Sequence, residues 1–163
     1  MSRGSQILIA VLVVTTFLAV VIKLRYPGKV SVKLPAEICD STLWQHVYEK
    51  QRLQVIEPCT AVEGRVVALH RASDGDLHLS LEPDNTTVLN FINRFHGHGH
   101  LVVEAICLYP SSEEKARAAC AEYHPQITIP KPGDRVRITG AYVTDSDNGW
   151  NEIHPVSKIE VLR

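Results

Sequence analysis

Carboxylate and imidazole side chains recur at a spacing of two residues along segments with the composition of β-strands. Asp76 and His78 share one face of such a segment, and Glu152 and His154 share one face of the last, because alternate strand residues point the same way. Glu104 lies in a third segment, LVVEAICLY. Groups of these types that converge from separate strands can bind a divalent metal ion. The spacing also allows a second interpretation, in which they form the solvated face of a sheet.

If these five residues converge, they also suit a metal-dependent hydrolase, such as a phosphodiesterase or nuclease. In that hypothesis Asp76, Glu104 and Glu152 hold the ion, and His78 or His154 acts as the base. The sequence contains no nucleophile elbow, P-loop or GxGxxG motif. We therefore assign no catalytic residue and favour a non-catalytic binding or accessory domain. A structural envelope protein without a small ligand is the third alternative.

A second group of histidines forms the alternating run HGHGH, with His96, His98 and His100 separated by glycines. His100 would also share a face with Glu104. Such histidine-rich tracts can bind zinc, nickel or copper. The alternative is a mobile loop with weak, adventitious metal affinity.

Four cysteines, an even number without CxxC spacing, predict two disulfides. Cys39 precedes a predicted short helix and Cys59 follows it. Cys107 ends a predicted strand and Cys120 ends the next helix. We therefore predict the pairs Cys39–Cys59 and Cys107–Cys120, each closing one helix against the sheet. Four reduced, buried thiols are the alternative.

An uncharged apolar run, ILIAVLVVTTFLAVVI, occupies residues 7–22. A bilayer span needs about 20 apolar residues, and the stems of Lys23 and Arg25 extend this run to a marginal span. We predict a membrane anchor over residues 1–25, a basic linker over 26–38 and one domain over 39–163. A cleaved signal peptide is the alternative, although no small-x-small cleavage site follows the run.

Charge and cysteine content point to opposite sides of the membrane. Residues 1–35 hold five of the 17 basic residues and no acid, so the remainder, with 12 basic and 18 acidic residues, has a formal charge of -6. Basic residues after the span favour a cytoplasmic domain, whereas disulfides favour an oxidising compartment. We expect a single-pass inner-membrane protein with a periplasmic or extracellular domain and an envelope protein as partner. The negative domain disfavours nucleic acid.

Alternating apolar and polar residues predict a mainly β domain. The predicted order is a short helix from Asp40 or Ser41 to Gln51, strands at 60–71, 76–82 and 101–109, a helix at 113–122, and strands at 134–144 and 150–162. Gly64 and Gly140 are predicted bends, and Pro155 a break in the last strand. This order is that of a five-stranded, OB-fold-like Greek-key barrel with a helix between strands three and four. A small β-sandwich is the alternative.

Two segments, VEGRVVALHRASDGDLHLSLE and PKPGDRVRITGAYVTDSDNGWNEIHPV, carry a resemblance. The chain resembles an uncharacterised family of small bacterial OB-fold-like domains, marked by a DGDxH turn and a terminal GWxEIHPV strand. The resemblance covers roughly residues 39–160, includes all four cysteines and implies no particular activity.

The turn Asp74-Gly75-Asp76 carries a weaker similarity to thermonuclease-type barrels. These also place DGD after the first strand, and the resemblance implies calcium binding by its second aspartate, here Asp76. Leu77 stands where those nucleases have threonine, and their downstream acidic motif and catalytic arginines have no counterpart here.

Overall fold

Strands dominate the computed structural model, which describes residues 32–163. The strands are β1 (Val32–Lys33), β2 (Leu53–Arg71), β3 (Leu77–Pro83), β4 (Leu101–Ala105), β5 (Arg135–Asp145) and β6 (Asn151–Val161). They form one sheet, so the predicted mainly β fold is confirmed. The sixth strand, β1, comes from the predicted linker and pairs with residues 60–61 of β2.

Hydrogen bonding runs around the sheet as a ring. β2 pairs with β3, β3 with β4, β4 with β6 and β6 with β5, and β5 returns to β2. The β4–β6 pairing is parallel and the others are antiparallel. The ring is not a regular barrel, because bulges shift the register in the β2–β3, β2–β5 and β5–β6 pairings.

The main core lies on one face of the sheet. Leu77, Leu79 and Leu81 alternate along β3 and are buried there, as their spacing predicts. Facing strands contribute Val103 and Ile153 among others. Alternation therefore directs the residues between them, including the acids and histidines, to the opposite face of the sheet.

A second apolar cluster contains Leu43 and Val47, Ile106, and Ala141 and Val143 of β5. It is separate from the main core and covers part of the sheet face that carries the acids and histidines. The alternative interpretation, a solvated face, is therefore wrong for four of the five residues, which are buried: Asp76, Glu104, Glu152 and His154.

Two short α-helices lie between consecutive strands of the chain. α1 spans Phe91–Phe95, and α2 spans Glu114–Ala119 between β4 and β5, where the sequence predicts a helix. α2 is shorter than predicted, since Glu122 has a left-handed φ of 62°. The Ser111 hydroxyl accepts a hydrogen bond from the Glu113 N–H just before this helix.

The predicted helix at 41–51 is instead two 3₁₀ turns, Ser41–Gln45 and Lys50–Arg52. Asp40 caps the first turn as predicted, accepting a hydrogen bond from the Thr42 N–H. Glu49 has a left-handed φ of 53°, which separates the two turns.

Two strands that contain a proline differ from the prediction. β2 begins at Leu53 rather than Thr60, because it passes Pro58 through a shift of register against β5. β6 matches its predicted bounds to within one residue, but it continues through Pro155 without the predicted break, opposite a register shift at Gly140, where a bend was predicted. Bulges accommodate a proline within a sheet.

Both predicted disulfides, Cys39–Cys59 and Cys107–Cys120, are present. Within residues 32–163, no cysteine is free and no helix has the length and apolar character to cross a bilayer. The predicted anchor, residues 1–25, lies outside the described residues.

Candidate metal centre

The strand register brings the predicted acids and histidines together. His78 on β3 is the direct cross-strand partner of Glu104 on β4. β4 also pairs in parallel with β6, placing Val102 beside Glu152. Two residues further along both strands, Glu104 and His154 therefore meet on the same face.

The closest group of potential ligands consists of Asp76, Glu104 and His154. Ligand atoms of these three residues all lie within 4.8 Å of one another, and all three side chains are buried. His78 and Glu152 flank the group. The structure thus places the five predicted residues in one cluster, here called the acid–histidine cluster.

His154 lies at the centre of this cluster. Its Nδ1 is 2.7 Å from Glu104 Oε2 and 3.1 Å from Glu152 Oε1. Only the contact with Glu152 has hydrogen-bond geometry, so Nδ1–H donates to Glu152. The second oxygen of Glu152 accepts a hydrogen bond of 2.8 Å from Trp150 Nε1.

Two groups lie nearer to solvent. His78 Nε2 is 3.5 Å from Glu104 Oε1, and its side chain is 30% exposed. Arg52 is 15% exposed; it is paired with Asp145 and lies 3.7 Å from Glu104 Oε2. The cluster therefore reaches the surface past these two side chains, although Glu104 itself is only 1% exposed.

Several polar atoms in the cluster lack a hydrogen-bond partner among the described residues. They are His78 Nε2, Glu104 Oε2 and His154 Nε2, each shielded from solvent. A buried polar atom without a hydrogen bond costs about 1–3 kcal/mol. Each of these atoms could donate a lone pair to a metal ion, His154 Nε2 after the ring has lost a proton, so coordination would remove that cost.

The cluster also has an excess of acidic groups. The buried carboxylates are Asp76, Glu104, Asp145 and Glu152. Arg52 and His154 are the cations that contact them. Full ionisation would leave two uncompensated negative charges, an excess that favours the binding of a divalent cation.

Burial raises the pKa of Asp76 to about 7, and the neighbouring Asp74 carboxylate adds to this effect. Burial also raises the pKa of Glu152, and Glu104 contributes in the same direction against the opposing effects of His154 and Trp150. Without a metal, Asp76 and Glu152 therefore retain their protons at a higher pH than exposed acids do.

His154 and Glu104 behave as an ion pair. Burial on its own would lower the pKa of His154, but the Glu104 and Glu152 carboxylates raise it to about 10. Burial likewise opposes ionisation of Glu104, but His154, His78 and Arg52 together hold its pKa well below its usual range. A metal ion that binds His154 must displace its proton.

Sequence reasoning missed Arg52 and Asp145, which extend the cluster. Neither lies in a recognisable motif. Sequence reasoning also missed Trp150, which is half-buried and donates a hydrogen bond to Glu152. Its position two residues before Glu152, on the same strand face, is the signal that could have indicated this contact.

The HGHGH run follows α1 and lies outside the acid–histidine cluster. Among the described residues, none of its histidines belongs to a group of three potential ligands. The backbone oxygen of His100 accepts a hydrogen bond from Asn93 Nδ2. His100 precedes β4 and is not part of the strand that carries Glu104.

A groove lies elsewhere in residues 32–163. Its volume is about 700 Å³, and Val32, Ile38, Arg137 and Lys158 are among the residues that line it. No member of the acid–histidine cluster lines it. We give more weight to the cluster because it gathers buried ionisable groups, which are typical of functional sites.

Comparison with known proteins adds no further information about function. No protein-family model matches the chain, and no curated protein matches it.

Proposed function

We propose that the chain is a membrane-anchored, extracytoplasmic, OB-fold-like binding domain and that its ligand is a divalent cation in the acid–histidine cluster. The observation that carries this proposal is the convergence of Asp76, Glu104 and His154, whose ligand atoms lie within 4.8 Å of one another. The unpartnered ring nitrogens of His154 and His78 support it further.

Three residues of this kind suit a metal site with open positions. Two carboxylates and one imidazole resemble, in ligand type, the sets that hold zinc, manganese or ferrous iron while leaving room for water. His78 and Glu152 would complete or orient this set. Trp150 and Arg52 would not bind the ion themselves. They would hold Glu152 and Glu104 in position through their contacts with these carboxylates.

The OB-fold-like assignment is supported by strand order. The ring β2-β3-β4-β6-β5, with α2 between β4 and β5, follows the order of the five-stranded Greek-key barrel. The extracytoplasmic assignment is supported by the two disulfides. The apolar run at residues 7–22 supports the anchor and a partner in the envelope, and the acidic domain disfavours nucleic acid.

The test is elemental analysis of the full 163-residue chain, purified in detergent without a histidine tag. We expect near-stoichiometric divalent metal in the wild-type chain and its loss in the Glu104→Gln/His154→Gln variant. The matched control is His96→Asn/His98→Asn, which alters the HGHGH run and leaves the cluster intact. Metal lost only in the control variant would place the site in the loop and refute the proposal.

Metal-dependent hydrolysis is the second candidate function, favoured by the position of His78. This side chain is 30% exposed and contacts Glu104, so it lies between the cluster and solvent. A base in this place could take a proton from metal-bound water.

The hydrolase alternative is tested with the metal-loaded chain and a chromogenic phosphodiester or carboxylic ester. Hydrolysis is expected to fall by about 10²–10⁴-fold in His78→Asn while metal content is retained. If the loaded wild-type chain hydrolyses neither compound, the non-catalytic binding function is favoured.

A further inference from the structure

We propose that Asp76, Cys107 and Cys120 form a second metal site, which becomes available when the Cys107–Cys120 disulfide is reduced. A carboxylate oxygen of Asp76 and the two sulfur atoms lie within 4.8 Å of one another. This inference goes beyond the proposed cation site, with which it shares Asp76. The two sites differ in their remaining ligands, since one uses Glu104 and His154 and the other uses two thiolates.

The geometry of the second site does not depend on the sulfur–sulfur bond alone. The Cys107 N–H donates a hydrogen bond of 2.8 Å to Asp76 Oδ1, which ties this cysteine to the carboxylate through its backbone. The Cys120 N–H donates to the Ala116 oxygen at 2.9 Å, and the Cys120 oxygen accepts from the Tyr123 N–H. Both cysteines therefore keep backbone anchors when the disulfide opens.

The two sulfur atoms of this disulfide differ in their accessibility to a reductant. Cys107 is 9% exposed, whereas Cys120 is half-buried and more accessible. A thiolate of an external dithiol attacks Cys120 Sγ, the disulfide bond breaks, and Cys107 Sγ leaves as a thiolate. The second thiol of the reductant then displaces Cys120 Sγ. The dithiol is oxidised to its own disulfide, and its two electrons and two protons pass to the protein thiols.

The ligand types of the reduced site select a different class of metal. Two thiolates and one carboxylate favour zinc or cadmium and leave a fourth position for water. A divalent ion that binds there displaces the two thiol protons. Because Asp76 belongs to both groups, an ion in the thiolate site competes with an ion in the acid–histidine cluster. Reduction would thus move the preferred binding position from one side of Asp76 to the other.

The experiment uses cadmium alone as probe, with the full chain in detergent, compared before and after treatment with a dithiol that is then removed. Cadmium bound to thiolates gives a charge-transfer band in the ultraviolet, which carboxylate and imidazole ligands do not give. We expect no band in the oxidised chain and a clear band in the reduced wild-type chain. Reduced Glu104→Gln should give a band of the same intensity as the reduced wild type. The Glu104→Gln variant lacks the acid–histidine site. A band in this variant therefore tests the thiolate site independently of the proposed cation site.

Three variants identify the ligands. Reduced Cys107→Ser/Cys120→Ser retains the other two cysteines and should show no band. Asp76→Asn should weaken cadmium binding by about tenfold or more, whereas the control Glu82→Gln, which alters an exposed acid of β3, should leave it unchanged.

The proposal is overturned by several outcomes. They are a band that persists in the Cys107→Ser/Cys120→Ser variant, a reduced wild-type chain without a band, or an Asp76→Asn variant with unchanged affinity. Loss of the native circular dichroism spectrum on reduction also overturns it, because the site needs the folded frame.

Discussion

His154 is fully buried between two carboxylates, and this position controls how the cluster responds to protons and metals. Its neighbours hold a proton on the ring, and burial would otherwise remove it. In the metal-free chain His154 therefore acts as an internal cation. In the metal-bound chain, the same ring would be a neutral ligand, so the ion replaces a proton.

The metal-free chain should become less stable as pH rises from about 7 to 10. The pKa of His154 is raised from its ordinary 6.5 to about 10 in the folded protein. The folded state thus binds the proton more tightly than the unfolded state, and this stabilisation is complete below the unfolded pKa and lost toward the folded one. The contribution of His154 to the slope of the unfolding free energy against pH is at most about 1.4 kcal/mol per pH unit.

Chemical denaturation with a chelator present measures this effect. His154→Gln should show a flatter dependence of the unfolding free energy on pH, while the exposed His124→Gln should match the wild-type chain. Equal slopes for His154→Gln and wild type would contradict the ion-pair account.

Irregular elements of the sheet position the site. β5 and β6 shift register on both sides of Gly140, directly opposite the residues around His154. The glycine at position 140, within a predicted strand, predicts a bend there. The sequence does not predict which strand Gly140 contacts. β2 begins earlier than predicted, because cross-strand bulges, which are tertiary features, carry the strand past Pro58. β6 keeps the predicted bounds to within one residue, but it continues through Pro155 without the predicted break.

Gly140→Ala should destabilise the domain and weaken metal binding. A Cβ at this position would lie 2.5 Å from the Pro155 oxygen and 2.6 Å from Ile153 Cγ2. Relief of this overlap must move β6, and overpacking of this kind costs about 1–3 kcal/mol. Denaturation midpoints and metal affinity measure the two effects. Wild-type stability together with wild-type affinity would show that the close approach of β5 and β6 does not support the site.

On the scale of the whole molecule, the site exists because distant segments cover a polar sheet face. The residue types, the shared faces and both disulfides follow from the sequence. The burial of the cluster does not, because it depends on Leu43 and Val47 packing over β5, far along the chain. Arg52 reaches Glu104 and Asp145 for the same reason. Spacing within one strand carries no information about such contacts.

The Cys39–Cys59 disulfide fastens this covering segment to β2 across a sequence separation of 20 residues. Cys39→Ser/Cys59→Ser should therefore lower the unfolding free energy by about 3 kcal/mol, as expected for a loop of this length. Denaturant unfolding of the double variant and the wild-type chain measures the difference. An unchanged midpoint would mean that the covering segment is held by packing alone.

The most direct test of the proposed cation site is anomalous X-ray diffraction from crystals of the oxidised chain grown with Mn²⁺. The account predicts an anomalous peak among Asp76, Glu104 and His154, within about 2.0–2.6 Å of oxygen and nitrogen ligands, and no such peak in Glu104→Gln/His154→Gln crystals. A cluster that holds no manganese, with His154 still paired to Glu104 and Glu152, would contradict it and identify the group as a buried ion-pair network.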